Sequence, residues 1–315
     1  MTRRQVGVEI EFSGIPIEDA VRTLEHALDA STDAVSEHEF LLHAKGSDDP
    51  YRVEVDFELL KRLSRDEQEQ PDQLRRTVVD VLGAAASIAV PLELVTPPLP
   101  LPALDDLDRI CAELASQGAV GTQDSFAYAF GVHFNPNVAE PDAASIVAHL
   151  QAFSCLFEWL KARDEMDLTR RLTAFADPYP KDYELLVLEE DYRPDEPQLI
   201  DDYMQHNPTR NRALDMLPLF AHLDEDRVKS ALDDPRIKSR PTFHYRLPNC
   251  RLGDDGWSLL DPWRGWLEVE RLAAAPEALS ELASARRRHL EAFTIGATDE
   301  WIATCERTIR NLASA

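Results

Sequence analysis

The sequence predicts an α+β protein: an antiparallel β-sheet with helices on one face and an acidic cleft on the other. Three observations lead there. Five short stretches alternate apolar and polar residues with the period of two that marks a half-buried strand. Their polar faces carry mostly carboxylates, with almost no Lys among them. The segments between and after them repeat apolar residues at helical spacing.

Residues 6–12 set Val6, Val8, Ile10 and Phe12 on one face and Gly7, Glu9 and Glu11 on the other. On a strand rising roughly 3.3 Å per residue, Glu9 and Glu11 sit about 7 Å apart. That spacing suits oxygen ligands sharing hard cations. Ser13, Gly14 and Pro16 form a turn, and residues 17–30 read as a helix with Ile17, Ala20, Val21, Leu24, Ala27 and Leu28 inward. Residues 39–43 are a weaker strand and residues 46–50 a loop. Tyr51, Val53, Val55, Phe57 and Leu59 then alternate with Arg52, Glu54, Asp56 and Glu58. A helix is expected over 73–89, a short strand carrying Glu93 over 92–96, and a helix over 104–116 ending at Gly118.

Residues 126–135 give a strand with Phe126, Tyr128, Phe130, Val132 and Phe134 on its large face. Ala127, Ala129, Gly131, His133 and Asn135 form the other face, small until its end. Such a face leaves room for a ligand or for a closely packed helix. A long helix follows over 142–164, with Ile146, Leu150, Phe153, Phe157 and Leu160 as its core stripe. Residues 175–180 break the pattern, 191–198 read as an acidic surface loop, and 207–212 precede an apolar helix through Phe220. Phe243, Tyr245 and Leu247 alternate with Thr242, His244 and Arg246. From 261 onward two or three helices are expected around Trp263, Trp266, Leu267, Leu272, Leu279, Leu282, Phe293 and Trp301. With no repeat and no low-complexity linker, the chain reads as one domain over 1–315, with 261–315 a helical C-terminal section.

Composition narrows the function. A net charge of −25 argues against nucleic acid as a partner, because phosphate backbones need a basic surface. It leaves room for a nucleotide held by a few arginines and cations. No run of 18 apolar residues occurs, so no membrane span or membrane partner is expected. The chain starts straight into its first strand without an apolar leader. Cys111, Cys155, Cys250 and Cys305 are widely spaced, which reads as reduced thiols in a cytoplasmic protein.

Placed in one sheet, the polar faces would bring Glu9, Glu11, Glu54, Asp56, Glu58, Glu93, His133, Asn135, His244 and Arg246 to one cleft. Like charges that close raise one another's pKa unless a cation lies between them. Oxygen ligands favour Mg²⁺ or Mn²⁺ over Zn²⁺, and a histidine leans the choice toward Mn²⁺. Mg²⁺ on a few carboxylates usually carries substrate phosphates, which Arg246 and Arg210 or Arg212 can grip bidentately. A solvated sheet face is the competing explanation, and the scarcity of Lys counts against it.

Taken in order, Val6-Gly7-Val8-Glu9-Ile10-Glu11-Phe12, Glu93-Leu94-Val95-Thr96-Pro97-Pro98-Leu99 and Gly131-Val132-His133-Phe134-Asn135 resemble three motifs of the amidoligase family. These are carboxylate–amine ligases related to glutamate–cysteine ligase and glutamine synthetase. Phe243-His244-Tyr245-Arg246-Leu247-Pro248-Asn249 is similar to the fourth motif, an E-x-R strand. The resemblance implies a glutamine synthetase-like sheet around an ATP and Mg²⁺ (or Mn²⁺) site. It also implies ATP-dependent joining of a small-molecule or peptide carboxylate to an amine through an acyl phosphate. Glu9, Glu11, Asp56 and Glu93 would be metal ligands, and His133 would touch metal or nucleotide phosphate. Arg246 would steady the transferred phosphate, with Asn135, Arg210 and Arg212 completing the nucleotide-binding set. His244 stands where the family has Glu, and remains able to ligate Mn²⁺. Two other readings suit the same acids: a divalent-metal phosphohydrolase, and a relative that binds nucleotide or peptide without turnover.

Overall fold

In the computed structural model, which describes residues 4–57, 90–122, 130–138, 141–164, 176–292 and 297–314, β1 (Gln5–Phe12) is a central strand. Its Val6, Val8, Ile10 and Phe12 are fully buried, while Glu9 and Glu11 point to the opposite, partly exposed face. The alternation follows from the pleat, which sends successive side chains to opposite sides. The strand order runs β2 (Ala30–Ser36), β3 (Glu39–Ala44), β4 (Tyr51–Val55), β5 (Leu92–Val95), β1, with antiparallel pairing at each step. β6 (Leu99–Pro100) pairs with the start of β1, and β7 (Val132–Pro136) flanks its other side.

β5 and β6 are one path along β1, interrupted at Thr96-Pro97-Pro98. The prolines have no N–H to give the ladder. Thr96 spans the gap: its N–H donates to the Val8 carbonyl at 2.9 Å. Its Oγ1 accepts the Val8 N–H at 2.9 Å and donates to the Pro97 carbonyl at 2.9 Å.

α1 (Ile17–Leu28) packs against β2, β3 and β4 and against α2 (Leu104–Ser116). It ends earlier than the expected residue 30, because Asp29 turns left-handed at φ 48° and Ala30 already begins β2. β2 was not expected at all; its residues are largely exposed and polar, and pairing to β3 alone makes it a strand. Gly14 sits at φ 95° in the turn after β1, where a side chain would meet the Gly118 carbonyl oxygen at 2.3 Å.

The chain divides into two compact units, Met1–Phe134 with Asn249–Leu260, and Asn135–Pro248 with Asp261–Ala315. No linker composition marks the three crossings, which fall inside a strand, inside the Arg246 motif and between residues 260 and 261. The core of the second unit is α3 (Ala143–Arg163), capped by Asp142, whose side chain accepts the Ser145 N–H. By length and composition α3 could cross a membrane; 56% of its most apolar window is buried inside the fold. It packs on α4 (Lys181–Val187), α9 (Pro276–Glu291) and α10 (Ala297–Ser314). With α8 (Leu260–Ala273), α9 and α10 account for the helices expected after 261.

Three expectations change in the second unit. α5 (Glu196–His206) begins inside the expected acidic loop: Asp195 caps it by accepting the Gln198 N–H at 2.9 Å, and Pro197 sits in the first turn, where no N–H is needed. After α6 (Leu217–Leu223), the expected apolar helix, comes an unexpected α7 (Glu225–Ala231), capped by Asp224. The strand expected over 241–247 shrinks to β9 (His244–Tyr245), paired with β8 (Leu214–Asp215). Its expected polar face is not exposed: Thr242, His244 and Arg246 are as buried as Phe243, Tyr245 and Leu247. Arg246 offsets part of the cost by donating to the Arg210 carbonyl. The helix expected over 73–89, and Glu58, Leu59, Phe126, Ala127, Tyr128, Ala129 and Phe293, lie outside the described residues. All four cysteines are buried free thiols.

Replacing Thr96 by Val keeps its shape and removes the acceptor of the buried Val8 N–H. The expected loss is about 1–3 kcal/mol in denaturant unfolding, with Thr96→Ser recovering most of it. An unchanged Thr96→Val midpoint would show that this hydroxyl does not hold the strand break together.

Candidate active site

Antiparallel register builds the site of the first unit. Glu11 lies directly opposite Glu93, Glu93 opposite Glu54, and Glu54 opposite Glu39. Residues directly opposite share a face, with Cβ atoms about 4.5–5.5 Å apart, and like charges there are destabilising. Four glutamates thus form one row across β1, β5, β4 and β3. On the far side of β1, His133 closes the row. Its Nδ1 lies 3.0 Å from Glu9 Oε2 and its Nε2 3.6 Å from Glu11 Oε1. The side chains are mostly covered, at 17% exposure for Glu9, 14% for Glu11 and 6% for His133.

Electrostatics follow the row. Burial pushes the Glu93 carboxyl well above the usual carboxylate range, and Glu9, Asp56, Glu11 and Glu54 push it further. Glu54 is also raised, first by burial and then by Glu39 and Glu9; Arg52, 3.4 Å away, opposes this. Asp56 follows β4, its N–H bonded to the Pro91 carbonyl, and its charge reaches Glu93. Glu11, Glu93 and His133 offer ligand atoms within 4.8 Å of one another. Two carboxylates and an imidazole at that separation fit a divalent cation of the Mn²⁺ or Mg²⁺ kind. Gly131 belongs to the same site through its backbone: its N–H donates to Glu11 Oε2 at 2.6 Å.

The second unit holds the other expected residues. His244 faces Asp215 across the β8–β9 pair, with Nδ1 3.5 Å from Asp215 Oδ2. Asp215 is itself buried, its Oδ1 accepting the Leu217 N–H at 3.0 Å. Arg246 donates through Nη1 to the Arg210 carbonyl and through its own N–H to the Ala213 carbonyl. Burial lowers the Arg210 guanidinium's pKa, and the nearby Arg246 charge lowers it further. Arg246 is buried and Arg210 half-buried, so two like charges stand side by side with little water between them. Arg212 is differently employed, donating to the Pro178 and His206 carbonyls at 2.8 and 3.4 Å. Asn135 Oδ1 accepts from Arg240 Nη2 at 2.8 Å.

Sequence reading missed Glu39, Asp215 and Arg240, and set Asp56 above Glu54. The parity of residues 51–59 already put Glu54 on the right face; only the strand register sets it beside Glu93. Asp215 carried no signal, because a two-residue strand has no period.

Residues 2–268 match the model of a protein family described as "Putative amidoligase enzyme". No curated protein and no solved structure matches the chain.

The strained row predicts a pH dependence in protein stripped of metal by a chelator. The folded-state pKa of Glu93 is raised, so ionising it costs stability at neutral pH and protonation relieves the cost. The melting temperature should therefore rise as pH falls from neutral toward the ordinary carboxylate range. Glu93→Gln should raise it at the upper pH and flatten the rise. A variant less stable than wild type at the upper pH would contradict this.

Proposed function

Because the chain belongs to the amidoligase family, we propose that it is an ATP-dependent carboxylate–amine ligase working through an acyl phosphate. Its substrates are a small-molecule or peptide carboxylate and an amine, handled on a sheet of the glutamine synthetase and glutamate–cysteine ligase type. The observation that carries the reading is the in-register row of Glu11, Glu93 and Glu54 closed by His133. Such a face costs stability unless a cation sits on it.

In this reading Glu9, Glu11, Glu93 and His133 hold Mg²⁺ or Mn²⁺, the imidazole favouring Mn²⁺, and Asp56 and Glu54 add negative charge behind them. ATP supplies the phosphoryl group that turns a poor acyl donor into a good one. Arg246 and Arg210 receive phosphate oxygens; Arg212, committed to two carbonyls, keeps the loop in shape. Positioning and charge neutralisation suffice for this transfer, and no nucleophilic side chain is required. The carbonyl carbon then bonds to the amine nitrogen, phosphate leaves with the C–O bond's electrons, and the nitrogen gives up one proton to the departing phosphate. His244 takes the place of the family's acid, with Asp215 Oδ2 3.5 Å from its Nδ1.

Release of ADP and phosphate tests the proposal. The ligase should release both only when an acid and an amine are present together. Turnover with no amine would make the protein a phosphohydrolase, and affinity without turnover a binding relative. Glu9→Gln and Glu11→Gln should each lower kcat by more than about 100-fold, beyond the effect of losing an outer partner of a metal ligand, while circular dichroism stays native. Full activity in either variant would remove the carboxylates from the mechanism.

A further inference from the structure

We propose that Thr122 is a positioning residue that aims the Glu11 carboxylate, an inference that rests on the cation site proposed above. The link is the single peptide unit between Phe130 and Gly131. Its N–H end donates to Glu11 Oε2 at 2.6 Å. Its carbonyl end accepts two bonds, from Thr122 Oγ1 at 2.9 Å and from the Cys250 N–H at 2.9 Å. A peptide unit is planar, so whatever fixes the direction of its carbonyl also fixes the direction of its N–H. One bond to the carbonyl oxygen would leave the plane free to rock about its flanking Cα atoms; the second occupies the other lone pair and stops it.

Thr122 is itself held to the same scaffold. It is buried, and its N–H donates to the Cys250 carbonyl at 2.7 Å. The preceding Gly121 donates to the Leu252 carbonyl at 2.8 Å. A side chain at Gly121 would start 2.2 Å from the Cys250 carbonyl oxygen, so the two segments approach as closely as backbones can. The Gly131 carbonyl, part of the following peptide unit, accepts the Glu11 N–H at 3.0 Å and ties the strand of Gly131 to β1 beside the site. With Oε2 taken by Gly131, Glu11 Oε1 is the oxygen turned toward His133 Nε2. The threonine hydroxyl, with the Cys250 N–H, thus sets the angle at which the Glu11 carboxylate faces the cation, although it touches neither.

The test uses Mn²⁺ alone as probe on the full chain. Wild type, Thr122→Val and Thr122→Ser are compared by calorimetric titration and by the electron paramagnetic resonance of unbound Mn²⁺. Thr122→Val should bind Mn²⁺ about 10- to 100-fold more weakly, the range seen when an outer partner of a metal ligand is lost. Thr122→Ser should stay close to wild type. In chelator, the Gly131 amide proton should resonate far downfield in wild type and move upfield in Thr122→Val, a readout independent of metal and of activity. Equal Mn²⁺ affinity in wild type and Thr122→Val overturns the role of Thr122 alone. Wild type without Mn²⁺ affinity overturns the cation site and this inference with it. Should Val crowd the site, Thr122→Ala removes the same hydroxyl without added volume. Failure of both variants to fold overturns the assignment, since the hydroxyl would then serve the fold rather than the carboxylate.

Discussion

The first unit is organised around a repulsion. Glu39, Glu54, Glu93 and Glu11 stand directly across from one another on four neighbouring strands, where like charges weaken a sheet. The opposite face of the same strands answers it. Val6, Val8, Ile10, Phe12, Val53, Leu92 and Leu94 are almost wholly buried there, and their burial holds the strands in a register that the acids alone would disfavour. The carboxylates can neither slide apart nor turn away, because a shift by one residue would turn Ile10 and Phe12 into water. Apolar packing on one face thus preserves a charged arrangement on the other.

The second unit is built on the complementary principle. Its buried Arg246 and half-buried Arg210 carry the same sign; burial depresses the Arg210 pKa, and the nearby Arg246 charge depresses it further. A buried Asp215 faces His244 beside them. Here aromatic packing does the holding. Tyr245 and Phe243 each pack at a tilt against Trp266 with ring centroids 5.3 Å apart, and Tyr245 meets Phe153 edge-on at 6.0 Å. A strand of two residues could not fix His244 and Arg246 by its own ladder, and the rings on either side of His244 supply the missing rigidity.

Much of this was legible in the sequence, and the boundary of legibility is physical. Period-two alternation announced Glu9 and Glu11 and the apolar face behind them, because a pleat imposes that period on any half-buried strand. The placement of Glu93 beside the Thr-Pro-Pro break was visible for the same reason. Register was not: parity sets Glu54 and Glu93 on one face, while their direct opposition depends on how two distant segments slide together. β2 stayed hidden because an exposed strand has no apolar period, and α5 because Pro197 and its acidic neighbours read as a loop until Asp195 is recognised as a cap. His244 and Arg246 broke the expected alternation because a two-residue strand packed among aromatic rings exposes neither of its faces.

The chain's path has a consequence for how the protein is made and inherited. It leaves the first unit at Phe134, comes back for Asn249–Leu260, and leaves again. The returning segment supplies Cys250, which bonds Thr122 and Phe130, and Leu252, which bonds Gly121. On the ribosome, the N-terminal sheet must wait through more than a hundred further residues before this segment emerges, an ordering in which non-local closure precedes its reward. In evolution, neither unit can be copied, lost or fused as an uninterrupted stretch of gene. The two would therefore be expected to travel together through any lineage that keeps either one.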